Sequence, residues 1–274
     1  MTEFALNSKT EKFLNTYQLF EDDEIQQVQL QHRLDLVEAF GIEKGMRILE
    51  IGCGQGDTTV ALADTVGNEG KVTAIDIASR DYGAPFTLGQ ATDRIKKSVL
   101  GDRIEFHFEM DFDVYECSEI FDIAILSHSS WYFKSTERLL RYFQKLRKMA
   151  KRVCIAEWDL DYSYLTQRSH FLAASILALH STFVNNDGNI QNLFHKALIQ
   201  ELLERAEFKI IKVGIVDATY LQDGNWEKSY ANSIRHEFAN APDMIQTLVN
   251  SYYELINAKM DNEQSLNSFI LCAE

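Results

Sequence analysis

The chain of 274 residues carries 27 basic and 41 acidic side chains, so that its formal net charge is −14. This excess of negative charge argues against nucleic acid or an anionic membrane surface as the main partner. The sequence contains neither a cleavable signal nor an apolar run long enough to cross a bilayer, and we expect a cytoplasmic protein without a membrane anchor.

Helical patterns occupy most of the first 45 residues, over 1–20 and 24–40. The second pattern ends at Gly41, a residue that frequently stops helices. We therefore expect residues 1–45 to form N-terminal helices ahead of the first strand.

The segment 48–59 has the pattern of a buried strand that turns on glycines into a helix. Gly52, Gly54 and Gly56 tolerate unusual backbone angles and allow a ligand to lie against the main chain. Such a turn is typical of a site for a nucleotide-like cofactor, and either Asp57 or the next residue is expected to cap the helix.

The residue at position 57 separates two classes of cofactor. A dinucleotide fingerprint, G-x-G-x-x-G, requires glycine there, whereas this chain has Asp57. A carboxylate at the start of the helix repels a pyrophosphate. Together with Glu50, at the other side of the glycine turn, it favours a cationic ligand.

At these residues the chain resembles the class I S-adenosylmethionine-dependent methyltransferases, in which an acid and then G-x-G-x-G end the first strand. S-adenosylmethionine has no phosphate and carries an ammonium and a sulfonium group. The resemblance implies that this cofactor is bound by the following residues of the turn: Glu50, Gly52, Gly54, Gln55, Gly56 and Asp57.

Acids follow the next two predicted strands as well. Asp76 ends the strand 71–77, where an acid accepts hydrogen bonds from ribose hydroxyls in both cofactor classes, and Ile77 adjoins it. In the family that the chain resembles, an acid after the third strand binds the adenine amine and an apolar neighbour packs on the ring. Asp111 and Phe112 match those positions.

Strand and helix patterns alternate along the whole chain, which predicts a parallel sheet with helices on both faces. Strands are predicted at 46–51, 71–77, 103–108, 121–127, 152–157, 208–216 and 268–272. Helices are predicted to about 66 and at 90–99, 136–149, 165–183 and 190–206, with a turn at 185–188, and a further helical stretch precedes the last strand.

The fold class is thus α/β, a Rossmann-like doubly wound sheet of seven strands. The resemblance implies that the last strand is antiparallel and inserted beside the fifth. We expect one domain over 1–274, divided as follows: N-terminal helices at 1–45, a cofactor-binding core at 46–157, helical lid insertions at 158–206 and 218–266, and final strands at 207–217 and 267–274.

His128 is the candidate catalytic residue, because it lies just past the fourth strand, beside the expected methyl position, and imidazole titrates near neutral pH. It acts either as a general base or only as a hydrogen-bonding group. Ser127, at the end of the same strand, is a candidate cofactor contact. The histidines and acids lack metal-ligand spacing and the four cysteines form no C-x-x-C pair, so neither a metal site nor a disulfide is expected.

Aromatic residues are concentrated after the strands, where open α/β sheets bind ligands, and suit a small, partly apolar or aromatic acceptor. Glu157 either binds a substrate cation, pairs with His128 or caps the segment that follows it, and Tyr17 either covers the site or docks its helix on the sheet. His180 is either a lid histidine or a substrate contact. The candidate substrate residues are Tyr17, Trp131, Tyr132, Glu157, Trp158 and His180.

These features predict a methyltransferase that moves a methyl group to an O, N or C atom of a small molecule. Three alternatives remain open at this stage: a cyclopropane-synthase-like enzyme acting on acyl chains, a non-catalytic S-adenosylmethionine-binding protein and, more remotely, a dinucleotide oxidoreductase. The Asn/Asp-Pro-Pro-Tyr sequence of base-methylating enzymes is absent after the fourth strand, which argues further against nucleic acid as substrate. The sequence leaves the oligomeric state open.

Overall fold

A seven-stranded sheet forms the centre of the computed structural model, which describes residues 5–20, 23–186, 188 and 190–274. The strand order is β3-β2-β1-β4-β5-β7-β6, and β7 runs antiparallel to both β5 and β6. The predicted fold class and the insertion of the last strand beside the fifth are confirmed. The strands are β1 (Arg47–Ile51), β2 (Lys71–Ile75), β3 (Ile104–His107), β4 (Phe121–Ser127), β5 (Ala150–Trp158), β6 (Ile210–Val216) and β7 (Ser268–Ala273).

Helices cover both faces of this sheet, and their order follows the predicted alternation. The helices are α1 (Ser8–Tyr17), α2 (Glu24–Phe40), α3 (Asp57–Val66), α4 (Leu88–Lys96), α5 (Thr136–Leu146), α6 (Arg168–His180), α7 (Lys196–Arg205), α8 (Asp223–Ser233) and α9 (Asp243–Asn257). Because parallel strands are covered on both sides, they are apolar along nearly their whole length. In the described part of the chain, no helix is long and apolar enough to cross a membrane.

Three local predictions are corrected by the structure. The cap of α3 is Gly56, at φ +92°, and not a side chain of the following residues, because the left-handed turn delivers the chain directly into the helix. The single helical stretch expected before the last strand is two helices, α8 and α9, separated by a 3₁₀ turn and Pro242. Helix α7 begins at residue 196, six residues later than the predicted start at 190. Residues 1–4 of the predicted first helix and residue 187 of the predicted turn lie outside the described residues.

The two N-terminal helices have different roles. Helix α1 docks on α3, since the Tyr17 hydroxyl donates to Asp64 Oδ1 at 2.6 Å and Phe13 is buried. Helix α2 packs against α3, β6 and β7, and brings polar side chains to the carboxyl ends of the central strands. Tyr17 therefore attaches α1 to α3, whereas the docking alternative placed this helix on the sheet, and a covering role for Tyr17 stays a prediction.

Two cysteines that are distant in sequence face each other across β5 and β7. The antiparallel register pairs Cys154 with Cys272, and their sulfur atoms lie 2.8 Å apart as free thiols. Burial raises the pKa of the Cys154 thiol well above its ordinary value, so that this thiol is protonated.

Candidate functional site

The glycine turn after β1 forms the floor of the candidate site. Gly52, Gly54 and Gly56 all have positive φ. A Cβ atom at Gly52 would lie 2.6 Å from Ser129 Cβ, and Gly56 has a φ of +92°, so close packing at the first position and backbone conformation at both favour glycine. At Gly54 a Cβ would meet no described atom within 4 Å, and this stretch of backbone is open to a ligand.

Asp76 follows β2 and ties the turn to that strand. Its Oδ2 accepts the Gly54 amide at 2.8 Å and its Oδ1 accepts the Ala78 amide at 2.9 Å. A carboxylate oxygen accepts more than one hydrogen bond, and Asp76 thus keeps acceptor capacity for a diol. Ile77 beside it is 59% exposed. Gln55 Nε2 donates to Phe86 O at 2.8 Å and holds the loop after β2 over the turn.

Glu50 and Asp57 lie on either side of the turn in settings that disfavour a negative charge. Glu50 is 2% exposed and accepts a hydrogen bond from Thr59 Oγ1 at 2.6 Å. Burial raises the pKa of Glu50 to about 8, against this hydrogen bond, and also raises the pKa of Asp57. A bound cation would favour both carboxylates in their ionised form. The positive charge of Arg33 in α2 lowers the pKa of both carboxyl groups and so also favours their ionised form.

Asp111 and Phe112 occupy positions that differ from a simple adenine site. Asp111 accepts hydrogen bonds from Arg138 Nη2 at 2.6 Å and from the Tyr142 hydroxyl at 2.7 Å. Burial raises its pKa, but Tyr142, a backbone amide and Arg138 outweigh burial, and the pKa lies below the ordinary value. Phe112 is 1% exposed and packs in the core beneath Lys145. The cofactor roles of Asp111 and Phe112 stay predictions.

A closed group of polar side chains lies beyond the ends of β4, β5 and β7. His128, at φ +50°, has its Nε2 2.9 Å from Ser268 Oγ, and this oxygen lies 3.0 Å from His32 Nε2. Arg33 Nη1 lies 2.8 Å from His32 Nδ1 and 3.4 Å from His128 Nδ1. Ser127, the neighbour of His128, has its Oγ 3.4 Å from the same Nδ1. Two residues of α2, two residues at the end of β4 and the first residue of β7 thus meet at one point.

The protonation of this group follows from its partners. Arginine has only donors, so His32 Nδ1 is an acceptor and the ring proton of His32 is on Nε2, facing Ser268. Burial lowers the pKa of both His32 and His128 well below the ordinary value, and the charge of Arg33 lowers both further. Both imidazoles are neutral at pH 7. Among the described residues, His128 Nδ1 has two contacts, both at 3.4 Å, so it is the more weakly bonded of the two ring nitrogens.

Trp158 occupies the middle of the histidines. Its ring is 5% exposed, with centroid distances of 4.6 Å to His128, 4.9 Å to His170 and 6.3 Å to His32. The register of β5 with β7 places Trp158 opposite Ser268. The predicted substrate residue Trp158 therefore lies beside the predicted catalytic residue His128.

Glu157 accepts hydrogen bonds from the turn after β4. Its Oε2 accepts the Ser130 hydroxyl at 2.8 Å and the amides of Ser130 and Trp131 at 3.1 and 3.3 Å, and its Oε1 accepts the Trp158 amide. Burial raises the pKa of Glu157 to about 7 against these hydrogen bonds. Glu157 therefore bonds mainly to the turn after β4, and of the segment that follows it, which the capping alternative named, it accepts only the Trp158 amide. Trp131 in this turn is 3% exposed, whereas Tyr132 is 48% exposed.

A cavity of about 360 Å³ lies between α6, α8 and the loop after β2. Its wall includes Tyr82 from the loop after β2, His180 from α6, and Trp226, Glu227 and Tyr230 from α8. His180 Nε2 lies 2.8 Å from Glu237 Oε2, which fixes its ring at the wall. Of the predicted substrate residues, His180 lines this cavity and Trp158 joins the histidine group, while Tyr17 lies apart from both.

Several residues of this site escaped the sequence analysis. His32 and Arg33 lie in a helix whose apolar face was the visible pattern, and Ser268 opens a strand that is otherwise apolar. A signal was available in α2, because Gln29 and Arg33 lie one turn apart on a polar face and Gln29 is buried. No local pattern marks Glu227 or His170.

Comparisons with known proteins find similar sequences and similar structures. A family model described as a methyltransferase domain matches residues 42–224. Methyltransferase phomM of Diaporthe leptostromiformis is 31% identical over 158 residues, which cover 50% of this chain and 41% of that protein. Demethylmenaquinone methyltransferase of Staphylococcus aureus (strain MRSA252) is 37% identical over 79 residues, 28% of this chain and 32% of that enzyme. The chain thus spans less than half the length of these curated relatives.

Solved structures share the whole fold. The crystal structure of a cyclopropane-fatty-acyl-phospholipid synthase-like protein from Lactobacillus casei ATCC 334 is similar with a TM-score of 0.86 and 32% identity, over 97% of this chain and 98% of that one. Magnesium protoporphyrin IX methyltransferase from Synechocystis PCC 6803, with bound SAH, has a TM-score of 0.51 and 15% identity over 97% and 94% of the two chains. The second likeness concerns the fold alone.

Proposed function

This chain belongs to the methyltransferase-domain family, and we propose that it is an S-adenosylmethionine-dependent methyltransferase that methylates an O, N or C atom of a small, partly apolar or aromatic molecule. The observation that carries the proposal is the position of the group around His128 and Trp158. It lies at the carboxyl ends of β4, which pairs with β1, and of β5, the next strand, and the glycine turn follows β1 on the same side of the sheet. The aromatic cavity under the lid adds a space of the size that small molecules occupy.

The residues at the glycine turn fit the cofactor. The open backbone at Gly54 leaves space for it, Asp76 would accept from the ribose hydroxyls, and Glu50 and Asp57 would face its cationic end. When bound, S-adenosylmethionine supplies an activated methyl group. Because Glu50 holds a proton up to about pH 8, we propose that cofactor binding releases this proton.

His128 would act on the acceptor through Nδ1. A neutral imidazole accepts a proton or a hydrogen bond from a hydroxyl, an ammonium or an acidic carbon, and orients that atom for in-line attack. Ser268 would hold the opposite side of the ring through Nε2. Trp158 and the lid helices would exclude water from this point.

A second candidate function is activity on acyl chains. Its support is the likeness to the cyclopropane-fatty-acyl-phospholipid synthase-like protein, which extends over nearly the whole of both chains. Polar groups in the cavity wall favour the first candidate, because an acyl chain would leave the Glu227 carboxylate without a partner.

The test is transfer of isotopically labelled methyl from S-adenosylmethionine into a size-fractionated metabolite extract and, separately, into phospholipid vesicles. Mass spectrometry then identifies what gains label. We expect label in a small molecule, and a variant of Asp76 serves as the control with impaired cofactor binding. Label only in lipid would establish the acyl-chain function instead, and cofactor binding without label in either fraction would indicate a non-catalytic binding protein.

A further inference from the structure

The cavity beneath the lid combines aromatic rings with an acid. Tyr82, Trp226 and Tyr230 line it and keep 40%, 46% and 44% of their surface exposed. Glu227, on the same helix as two of these rings, also lines it, with 12% of its side chain exposed. Aromatic faces attract cations through their negative electrostatic potential, and a carboxylate adds a full charge of the same sign.

Glu227 lacks a cationic partner among the described residues. Its nearest charged or titratable neighbour is His170, whose Nε2 lies 2.8 Å from Glu227 Oε2. The alignment is poor, because both buried atoms lack a hydrogen bond of acceptable geometry. Lys228, the next residue, bonds to both carboxylate oxygens of Glu263 at 2.8 Å.

The protonation state of His170 follows from its other contact. The Leu266 amide donates to His170 Nδ1 at 2.8 Å, so Nδ1 carries no proton and the ring is neutral with its proton on Nε2. The ring therefore offers Glu227 a dipole and no charge. A carboxylate that is almost buried without a counter-ion is costly, and a cation in the cavity would remove that cost.

Building on the proposed function, we propose that this cavity binds the methyl acceptor by an ammonium group, enclosed by Tyr82, Trp226 and Tyr230 and neutralised by Glu227. An anionic acceptor would be repelled here, and a neutral apolar one would leave the carboxylate unpaired. The substrate class is thus a small amine or quaternary ammonium compound.

The ammonium group is an anchor, separate from the atom that is methylated. Glu227 contacts His170, the His170 ring packs on Trp158, and Trp158 packs on His128, so that two ring contacts lie between the anchor and the candidate catalytic residue. No bond forms or breaks at the ammonium. The nucleophile lies at the other end of the acceptor, near His128.

The test compares two probes of the same shape, phenyltrimethylammonium and tert-butylbenzene, on the full chain saturated with S-adenosylhomocysteine. Neither probe requires turnover, and titration calorimetry measures both affinities. We expect the cation to bind at least tenfold more tightly than its neutral analogue. Glu227→Gln and Trp226→Leu should each weaken the cation at least fivefold, and Glu227→Gln should leave tert-butylbenzene unchanged.

Two matched variants control for general effects. Glu254→Gln removes one negative charge from an exposed side chain of α9, and Tyr164→Leu removes a ring that is 59% exposed outside the cavity. Both should bind phenyltrimethylammonium as the parent does. Trp226 is 46% exposed, so Trp226→Leu should fold, and it keeps the proposal testable if Glu227→Gln fails to fold.

The outcomes separate this inference from the proposed function. Equal affinity for the two probes, or an unchanged cation affinity in Glu227→Gln, overturns the ammonium anchor even if methyl transfer to a small molecule is found. Selective binding of the cation together with label in lipid alone leaves the cation site standing and overturns the small-molecule function.

Discussion

The two halves of the site are built from the chain in different ways. In the cofactor half, the glycine turn, Glu50 and Asp76 belong to one β-α-β unit, and most contacts involve backbone groups. In the acceptor half, His32 meets Ser268 across 236 positions of the chain and Arg33 meets His128 across 95. The first half thus depends on local conformation and the second on tertiary packing of side chains.

The electrostatic settings of the halves also differ. Burial raises the pKa of Glu50 to about 8, so this carboxyl group in the cofactor half is protonated at neutral pH until a cation binds beside it. In the acceptor half the charge of Arg33 and burial keep two imidazoles neutral. One half is therefore suited to bind a charged cofactor, and the other to accept a proton or a hydrogen bond.

Replacing His128 should give the largest effect and should separate the halves most clearly. We expect His128→Ala to lower kcat roughly 100-fold or more, which is the low end for a positioned acid or base, with cofactor affinity unchanged. Steady-state kinetics and calorimetry measure the two quantities. His107→Gln, in β3 and paired with Glu105, is the matched control and should keep wild-type turnover. Full turnover in His128→Ala would remove this residue from the mechanism.

Asp76 provides the converse test in the cofactor half. Asp76→Ala leaves ribose hydroxyls and two turn amides without their acceptor, and we expect a loss of roughly 1–3 kcal/mol in S-adenosylmethionine binding, measured by calorimetry. Asp122→Ala is the control, because Asp122 also accepts a backbone amide, that of Arg47, but at the amino ends of the strands, opposite the site. Equal cofactor affinity in the Asp76 and Asp122 variants would show that another residue holds the ribose.

The sequence reveals the cofactor half well because its features are local. A buried strand, glycines at positive φ and an acid at the next strand end are all fixed by neighbouring residues. The acceptor half was only partly predictable. His128 directly follows β4 and Trp158 ends β5, and these positions made them candidates, whereas His32, Ser268 and Glu227 become candidates only once α2, β7 and α8 are packed in the fold.

Glu157 was assigned three possible roles from sequence, and stability measurements can test the role that the structure shows. Its pKa of about 7 exceeds the ordinary 4.5, so the folded protein retains a proton that the unfolded chain has released. Its contribution therefore falls as pH rises from about 4.5 to about 7 and is constant above.

Denaturant unfolding at several pH values compares the parent with Glu157→Gln. The variant is less stable at low pH, because Gln has an NH2 group in place of one carboxyl oxygen and cannot accept both from the Ser130 and Trp131 groups and from the Trp158 amide. We expect its deficit to shrink by at most about 1.4 kcal/mol per pH unit between pH 5 and 7. A deficit that is independent of pH would contradict a protonated Glu157.

The smallest expected effect concerns Arg33, the residue that links the two halves. If His128 accepts a proton, kcat/KM for the acceptor at saturating cofactor requires the neutral ring. Burial lowers the pKa of His128 and Arg33 lowers it further, so activity should persist through neutral pH and fall only in acid.

Arg33→Gln removes that charge, raises the pKa of His128 and moves the acid limb of the pH profile to higher pH. Arg141→Gln, an equal charge change beside Asp113 on α5, should not move it. An unmoved limb in a folded Arg33→Gln that binds cofactor would show that His128 only orients the acceptor, and the acceptor half would then work by positioning without proton transfer.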